Sequence, residues 1–82
     1  MKNKIIEAGR ALRTIKINYT EKDVSNEGFR EVEPYSFRFK NGEEYFFGFD
    51  IEKKGIRQFI IRSINDIIIT DNNYSPRWPV EL

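Results

Sequence analysis

The side chains in this sequence with chemistry to offer are arginines set among aromatic rings. Arg38, Tyr45 and Arg57 lie close in sequence to Phe37, Phe39, Phe46, Phe47, Phe49 and Phe59. A guanidinium beside such rings can neutralise a phosphate while a ring stacks on a base. Histidine and cysteine are absent. That removes disulfides, thiolate nucleophiles, the usual zinc ligands and the side chain best suited to proton transfer near neutral pH. Carboxylates are numerous, and Glu31-x-Glu33, Glu43-Glu44 and Asp66 with Asp71 are the pairs that could hold a metal or act as acid and base. With no His, no Gly-rich phosphate loop and no EF-hand spacing beside them, they read as surface charge. The sequence predicts a binding protein rather than an enzyme, with no cofactor and no metal.

Two further features could serve the same ligand. Lys53-Lys54 falls in a turn, where a solvated pair is the ordinary state and phosphate contact the alternative. Trp78, bracketed by Pro76 and Pro79, could present a flat ring to a base or pack as a stiff plug.

The balance of charge says where such a face must be. Lys plus Arg is 14 and Asp plus Glu is 13, so a net charge of +1 supplies no global field toward nucleic acid. Any basic surface is local. A chain of 82 residues is expected to form a single domain with one modest core, over residues 1–82. Its start, MKNKIIEAGR, has only two consecutive aliphatics, so it is neither a secretory signal nor a membrane span. The expectation is a cytoplasmic protein that does not engage membranes and is monomeric as an isolated domain. Aromatics make up 15%, with seven Phe and four Tyr, more than a minimal core needs, so some rings should reach the surface.

The elements that must position these residues follow from periodicity. Ile5, Ile6, Gly9 and Leu12 recur at spacings of three and four, which predicts a short amphipathic helix over about residues 2–13, weakened by Gly9. From Thr14 the period changes to two through Ile15, Ile17 and Tyr19. Glu21 to Gly28 is a polar loop. A second strand begins near Phe29, meets Pro34, whose missing N–H argues for an edge or a bulge, and continues through Tyr35, Phe37 and Phe39. Asn41-Gly42 is a type I′ hairpin signal. Glu43 to Asp50 returns, Asp50 to Gly55 turns, Ile56 to Ile64 forms a long strand and Ile67 to Thr70 a short one. The Ile67-Ile68-Ile69 run would be a pairing hazard at a bare edge, so it is expected to be buried or covered by the tail. The prediction is a mainly β fold, a five-stranded bent sheet or barrel over about residues 14–70, with an extended tail over 71–82.

A two-residue loop at Asn41-Gly42 pairs Lys40 with Glu43, Arg38 with Tyr45, Phe37 with Phe46 and Tyr35 with Gly48. Phe37, Phe39 and Phe46 then share one face; Ser36, Arg38, Lys40, Tyr45, Phe47 and Phe49 share the other. Taking the next loop as Ile51 to Gly55 sets Tyr45 opposite Ile61, Phe47 opposite Phe59, Phe49 opposite Arg57 and Glu44 opposite Arg62. Arg57 then joins the face of Arg38 and Tyr45, while Phe47, Phe59 and Ile61 read as core.

The run Arg30-x-Val32-x-Pro34, then Glu44-Tyr45-Phe46-Phe47-Gly48-Phe49-Asp50, then Arg57-x-Phe59 leading to Ile64, resembles the WYL domain. That family is a small Sm-like barrel of the Src-homology-3 type, named for a Trp-Tyr-Leu triplet. The resemblance spans roughly Ile5 to Thr70. Only Tyr45 of the triplet is literal, with Glu44 in place of Trp and Phe46 in place of Leu. Arg62-Ser63 stands where an Asp-Arg pair is usual, which moves the basic side chain one position along the strand. The resemblance implies that Tyr45 and Arg57, with neighbouring basic residues such as Arg62, bind nucleic acid or a small anion and regulate an attached domain. Domains of this family accompany helix-turn-helix regulators, CRISPR-associated proteins and some bacterial DNA helicases of the Pif type. An end a few residues past the last strand favours a terminal accessory module, such as one on a helicase, or a stand-alone domain.

Three functions remain open from the sequence. The first is a module for single-stranded nucleic acid, DNA before RNA, using Tyr45, Arg57, Arg38, Arg62, Lys53, Lys54 and Trp78. The second is a sensor of a nucleotide or other small anion on the same face, and the third a protein-interaction or dimerisation module.

Overall fold

The computed structural model describes residues 1–20 and 28–82. The polar loop expected from Glu21 lies, as far as Glu27, outside them. Helix α1 (Lys2–Arg10) buries Ile5, Ala8 and Gly9 and carries Arg10 in its last turn, where a cation meets the negative end of the helix dipole. It ends three residues short of the sequence expectation. Leu12 has φ 53°, which turns the chain out of the helix, and its carbonyl accepts the Tyr74 N–H at 3.0 Å. Sheet pairing thus takes the chain from Arg13 onward.

The strands are β1 (Arg13–Tyr19), β2 (Phe29–Lys40), β3 (Glu43–Asp50), β4 (Gly55–Ile60) and β5 (Ile64–Asn73). They form one open antiparallel sheet in the order β4-β3-β2-β1-β5. This is the mainly β, five-stranded bent sheet with a short N-terminal helix that the periodicity predicts. One long strand from Ile56 to Ile64 does not form. The chain must pass from one edge of the sheet to the other, and it does so by a 3-10 turn at Ile61–Ser63. The Ile60 N–H donates to Tyr19 Oη at 2.9 Å and the Thr20 N–H to the Ser63 carbonyl at 3.2 Å, so the bent sheet brings its two edges together here.

The β2–β3 hairpin turns through Asn41 (φ 51°) and Gly42 (φ 77°), both left-handed as a type I′ turn requires. Lys40 pairs with Glu43, Arg38 with Tyr45 and Phe37 with Phe46, as expected. Beyond Ser36 the register shifts, and Gly48 pairs with Pro34 rather than Tyr35. Tyr35 is the extra residue of a bulge. Pairing of β2 with β1 stops at Val32, so the missing N–H of Pro34 falls past the end of that ladder.

The inner face of the sheet gathers Ile15, Ile17, Val32, Phe46 and Phe59, all fully buried, with α1 across it. Phe46 and Phe59 stack at 5.8 Å and the Tyr19 ring meets Phe59 edge-on at 5.1 Å. Phe37 packs against this core, whereas Phe39, nearer the hairpin tip, is 70% exposed. On β5, Ile67 is buried and Ile68 exposed. Burial does not extend along the whole of this run. Instead the Ile67 carbonyl accepts Lys4 Nζ at 3.2 Å and its N–H goes to Asp66 Oδ1 at 2.8 Å, so two charged side chains occupy backbone groups that another strand would use.

Gly48 sits where β2 leaves no room for a side chain on β3. A Cβ there would run into Val32 Cγ1 and lie 3.0 Å from the Glu33 carbonyl oxygen. Gly48→Ala is therefore expected to lower unfolding free energy by about 1–3 kcal/mol, read from the urea midpoint. An unchanged midpoint would mean that the two strands can part without loss.

Candidate functional site

The outer face of the sheet carries a second cluster, and the C-terminal tail builds it. Trp78 stacks on Tyr35 with ring centroids 4.3 Å apart, Tyr74 meets Tyr35 edge-on at 5.6 Å, and Arg77 lies 3.8 Å over the Phe49 ring. Tyr35 Oη donates to Glu33 Oε1 at 2.8 Å and accepts the Arg77 N–H at 2.9 Å. Arg77 Nε closes the network on Glu33 Oε1 at 3.1 Å, and Tyr74 Oη donates to the Pro34 carbonyl at 2.6 Å. Burial pushes the Tyr35 and Tyr74 hydroxyls above their ordinary range, so both remain protonated donors. The bulge at Tyr35 lets this ring reach outward between buried Pro34 and the rest of β2.

Beside the cluster lies a groove of about 300 Å³, lined by Ser36, Phe37, Arg38, Phe47, Ile56, Trp78 and Glu81. Arg38 is exposed, and its guanidinium lies 5.7 Å from the Phe47 ring centroid. The floor is apolar, with Ile56 60% exposed upon it. A flat apolar ligand bearing an anion matches rings of this kind beside one guanidinium.

Of the residues singled out in the sequence, Arg38 and Tyr45 are cross-strand partners on this outer face. Trp78 joins the groove as a wall while its ring packs on Tyr35. Arg57 does not join them. The loop between β3 and β4 is Ile51 to Lys54, one residue shorter than expected because Lys54 takes φ 56° and Gly55 already pairs with Asp50. Phe46 thus faces Phe59, Gly48 faces Arg57, Tyr45 faces Ile60 and Phe47 faces Gln58. That slip moves Arg57 to the inner side, 4.0 Å from Asp50 and over the Phe59 ring at 5.8 Å. Asp50, 1% exposed, also pairs with Arg30 at 3.6 Å and accepts the Lys53 N–H at 3.0 Å.

Lys53 and Lys54 are exposed at the hairpin tip. Arg62 pairs with Glu43 at 2.8 Å rather than with Glu44, which takes Lys2 at 2.7 Å. Phe59 is core as expected, whereas Phe47 and Ile61 are only half-buried. Ser36, Phe37, Phe47, Ile56 and Glu81 are the groove residues that sequence reasoning did not assign to a site. The shared outward parity of Ser36 and Phe47 with Arg38 carried the signal for two of them; Glu81 arrives through the tail, and no local pattern marks it.

A family model described as WYL domain matches residues 1–69. This chain belongs to the WYL domain family. The WYL match stops short of Tyr74, Arg77, Trp78 and Glu81, so the tail that builds the outer cluster lies beyond it. Among solved structures, this WYL domain is similar to the proteasome accessory factor B/C (PafBC) of Arthrobacter aurescens, with 18% identity and a TM-score of 0.79. The likeness covers 95% of this chain and 13% of that one, and at this identity it concerns the fold. No curated protein sequence matches this WYL domain. Among the described residues, no cluster of three or more His, Cys, Asp or Glu side chains could hold a metal, and no helix is long and apolar enough to cross a membrane.

A wider polar hollow of about 680 Å³ lies on the other flank of the tail, lined in part by Glu31, Glu33, Asn72 and Arg77. Glu31 Oε2 accepts Thr14 Oγ1 at 2.6 Å and Asn72 Nδ2 at 2.8 Å. These bonds, Thr14 first, hold its carboxyl below the ordinary value of 4.5. A depressed folded value contributes stability above the unfolded value and loses it as pH falls through the folded one. Glu31→Gln should therefore lose less stability than the parent on acidification below about pH 4.5, measured by denaturation at stepped pH. Parallel acid limbs would show that the carboxylate gains nothing on folding. Trp78→Ala should cost about 2 kcal/mol through loss of the Tyr35 stack, with collapse of the near-ultraviolet dichroism. Retention of both signals would mean the tail is held without its ring.

Proposed function

We propose that this WYL domain is a non-catalytic accessory module that binds single-stranded nucleic acid in the outer-face groove and thereby assists or regulates an attached enzyme, such as a DNA helicase. The observation that carries the reading is the placement of Arg38 over the Phe47 ring, on the rim of an apolar groove walled by Trp78. Arg38 makes no ion pair among the described residues, so its charge is available to a phosphate. Tyr45, its cross-strand neighbour, extends the same face. Lys53 and Lys54, exposed at the β3–β4 tip, are the further cations that this reading assigns to phosphate contact. Family membership supports an accessory or regulatory module, and the absence of His and Cys supports one without catalysis.

The groove volume favours a second reading, a sensor for a single nucleotide or similar anion, since about 300 Å³ lies at the lower limit of small-ligand sites. Salt separates the two. A strand crossing several basic side chains loses affinity steeply as salt rises, whereas one small ligand does so shallowly.

Arg38→Glu should weaken binding of labelled single-stranded DNA severalfold by fluorescence anisotropy and lower the salt slope by about one. Its thermal midpoint should stay at the parental value, because the side chain is exposed and unpaired among the described residues. RNA of the same sequence should bind more weakly. Equal affinity of parent and variant at low salt would remove the groove from the mechanism. A parent that binds a mononucleotide but no strand would establish the sensor instead.

A further inference from the structure

Glu81 is an odd residue to find on the wall of a groove proposed to take a polyanion. Its place is fixed from three sides. Its N–H donates to the Tyr35 carbonyl at 2.7 Å and it forms a parallel bridge with Ser36. Three residues earlier, Trp78 is stacked on Tyr35. One residue later, Leu82 packs against the core in the notch left by Gly9, and its carbonyl accepts Arg10 Nε at 3.3 Å. These contacts anchor the Glu81 backbone at the wall of the groove, so the exposed carboxylate is held within reach of a bound ligand without any rearrangement of the chain. No ion pair joins Glu81 to Arg38 among the described residues, although both line the groove.

The groove therefore combines rings, one donor-only guanidinium and one acceptor-only carboxylate. Phosphate suits Arg38, and a base stacked on Phe47 or Trp78 would present its edge to Glu81. A carboxylate needs donors on that edge. Guanine offers two adjacent ones, N1–H and the N2 amine, which match the two carboxylate oxygens. Adenine and cytosine each offer one amine beside a ring acceptor. Thymine sets its single N3–H between two carbonyls that repel a carboxylate.

We infer that Glu81 makes this groove selective for a guanine base within a single strand, reading its N1–H and N2 amine. The inference rests on the groove reading above. Its test uses the full chain and short thymidine tracts carrying one central guanine, hypoxanthine, adenine, cytosine or thymine, compared by anisotropy. Guanine should bind about fivefold or more tighter than thymine, the lower end of the discrimination given by a bidentate base contact. Hypoxanthine, which lacks the N2 amine, should fall between. Glu81→Gln should bring the five tracts together, with an unchanged thermal midpoint. If the parent binds all five equally, or if Glu81→Gln tightens all five by one common factor, the carboxylate only repels phosphate and the inference is overturned while the groove reading stands. If the parent binds none of them, both fall together.

Discussion

Pro34 cannot donate a backbone hydrogen bond, and the consequences of that single missing N–H reach most of the molecule. The ladder with β1 ends at Val32 and the ladder with β3 shifts between Pro34 and Ser36. One extra residue in a strand exchanges the faces of everything after it. Before the bulge, Val32 and Pro34 point inward; after it, Phe37 points inward and Ser36 and Arg38 outward. Tyr35, the residue left over, is the ring on which Trp78 stacks and whose carbonyl holds Glu81. Without the bulge, Phe37 would leave Phe46, and Ser36 and Arg38 would turn away from the outer face.

The sheet is thus used on both sides by different parts of the chain. Helix α1 covers the inner face with Ile5 and Ala8, and the tail covers part of the outer face with Tyr74, Arg77 and Trp78. The two coverings meet where Leu82 lies against Gly9. The inner side is largely apolar, with the Arg30–Asp50–Arg57 cluster at its β3–β4 end and the Lys2–Glu44 pair toward the β2–β3 tip. The outer side is a polar network wrapped around rings. This division explains why a chain so rich in aromatics does not bury all of them in one core.

What could be read in the sequence was local. The change of period at Thr14, the Asn41-Gly42 turn and the pairing of Arg38 with Tyr45 all depend on neighbours a few residues apart, and each is present. The position of Arg57 depended on loop length, and a loop of four residues in place of five was enough to turn it to the other face. The bulge was legible at Pro34, but which residue it would expel was not. The turn of the chain at Leu12, just past the helix, and the position of Glu81 are set by contacts with Tyr74 and Tyr35, remote in sequence. No window-based pattern can contain them.

The pairing of β1 with β5 has a consequence in time. Ile17 and Ile67 are cross-strand partners fifty positions apart, and every bond of that ladder closes a loop containing the other three strands. The hairpins β2–β3 and β3–β4 can zip from their own turns, each loop costing little entropy. The inner faces of β1 and β5 must wait for them, and the tail, which docks on rings that only the finished hairpin presents, must wait longer. Non-local order of this kind places folding on the order of milliseconds to seconds rather than microseconds. The outer groove, having the tail as one wall, is then among the last features of the domain to come into being.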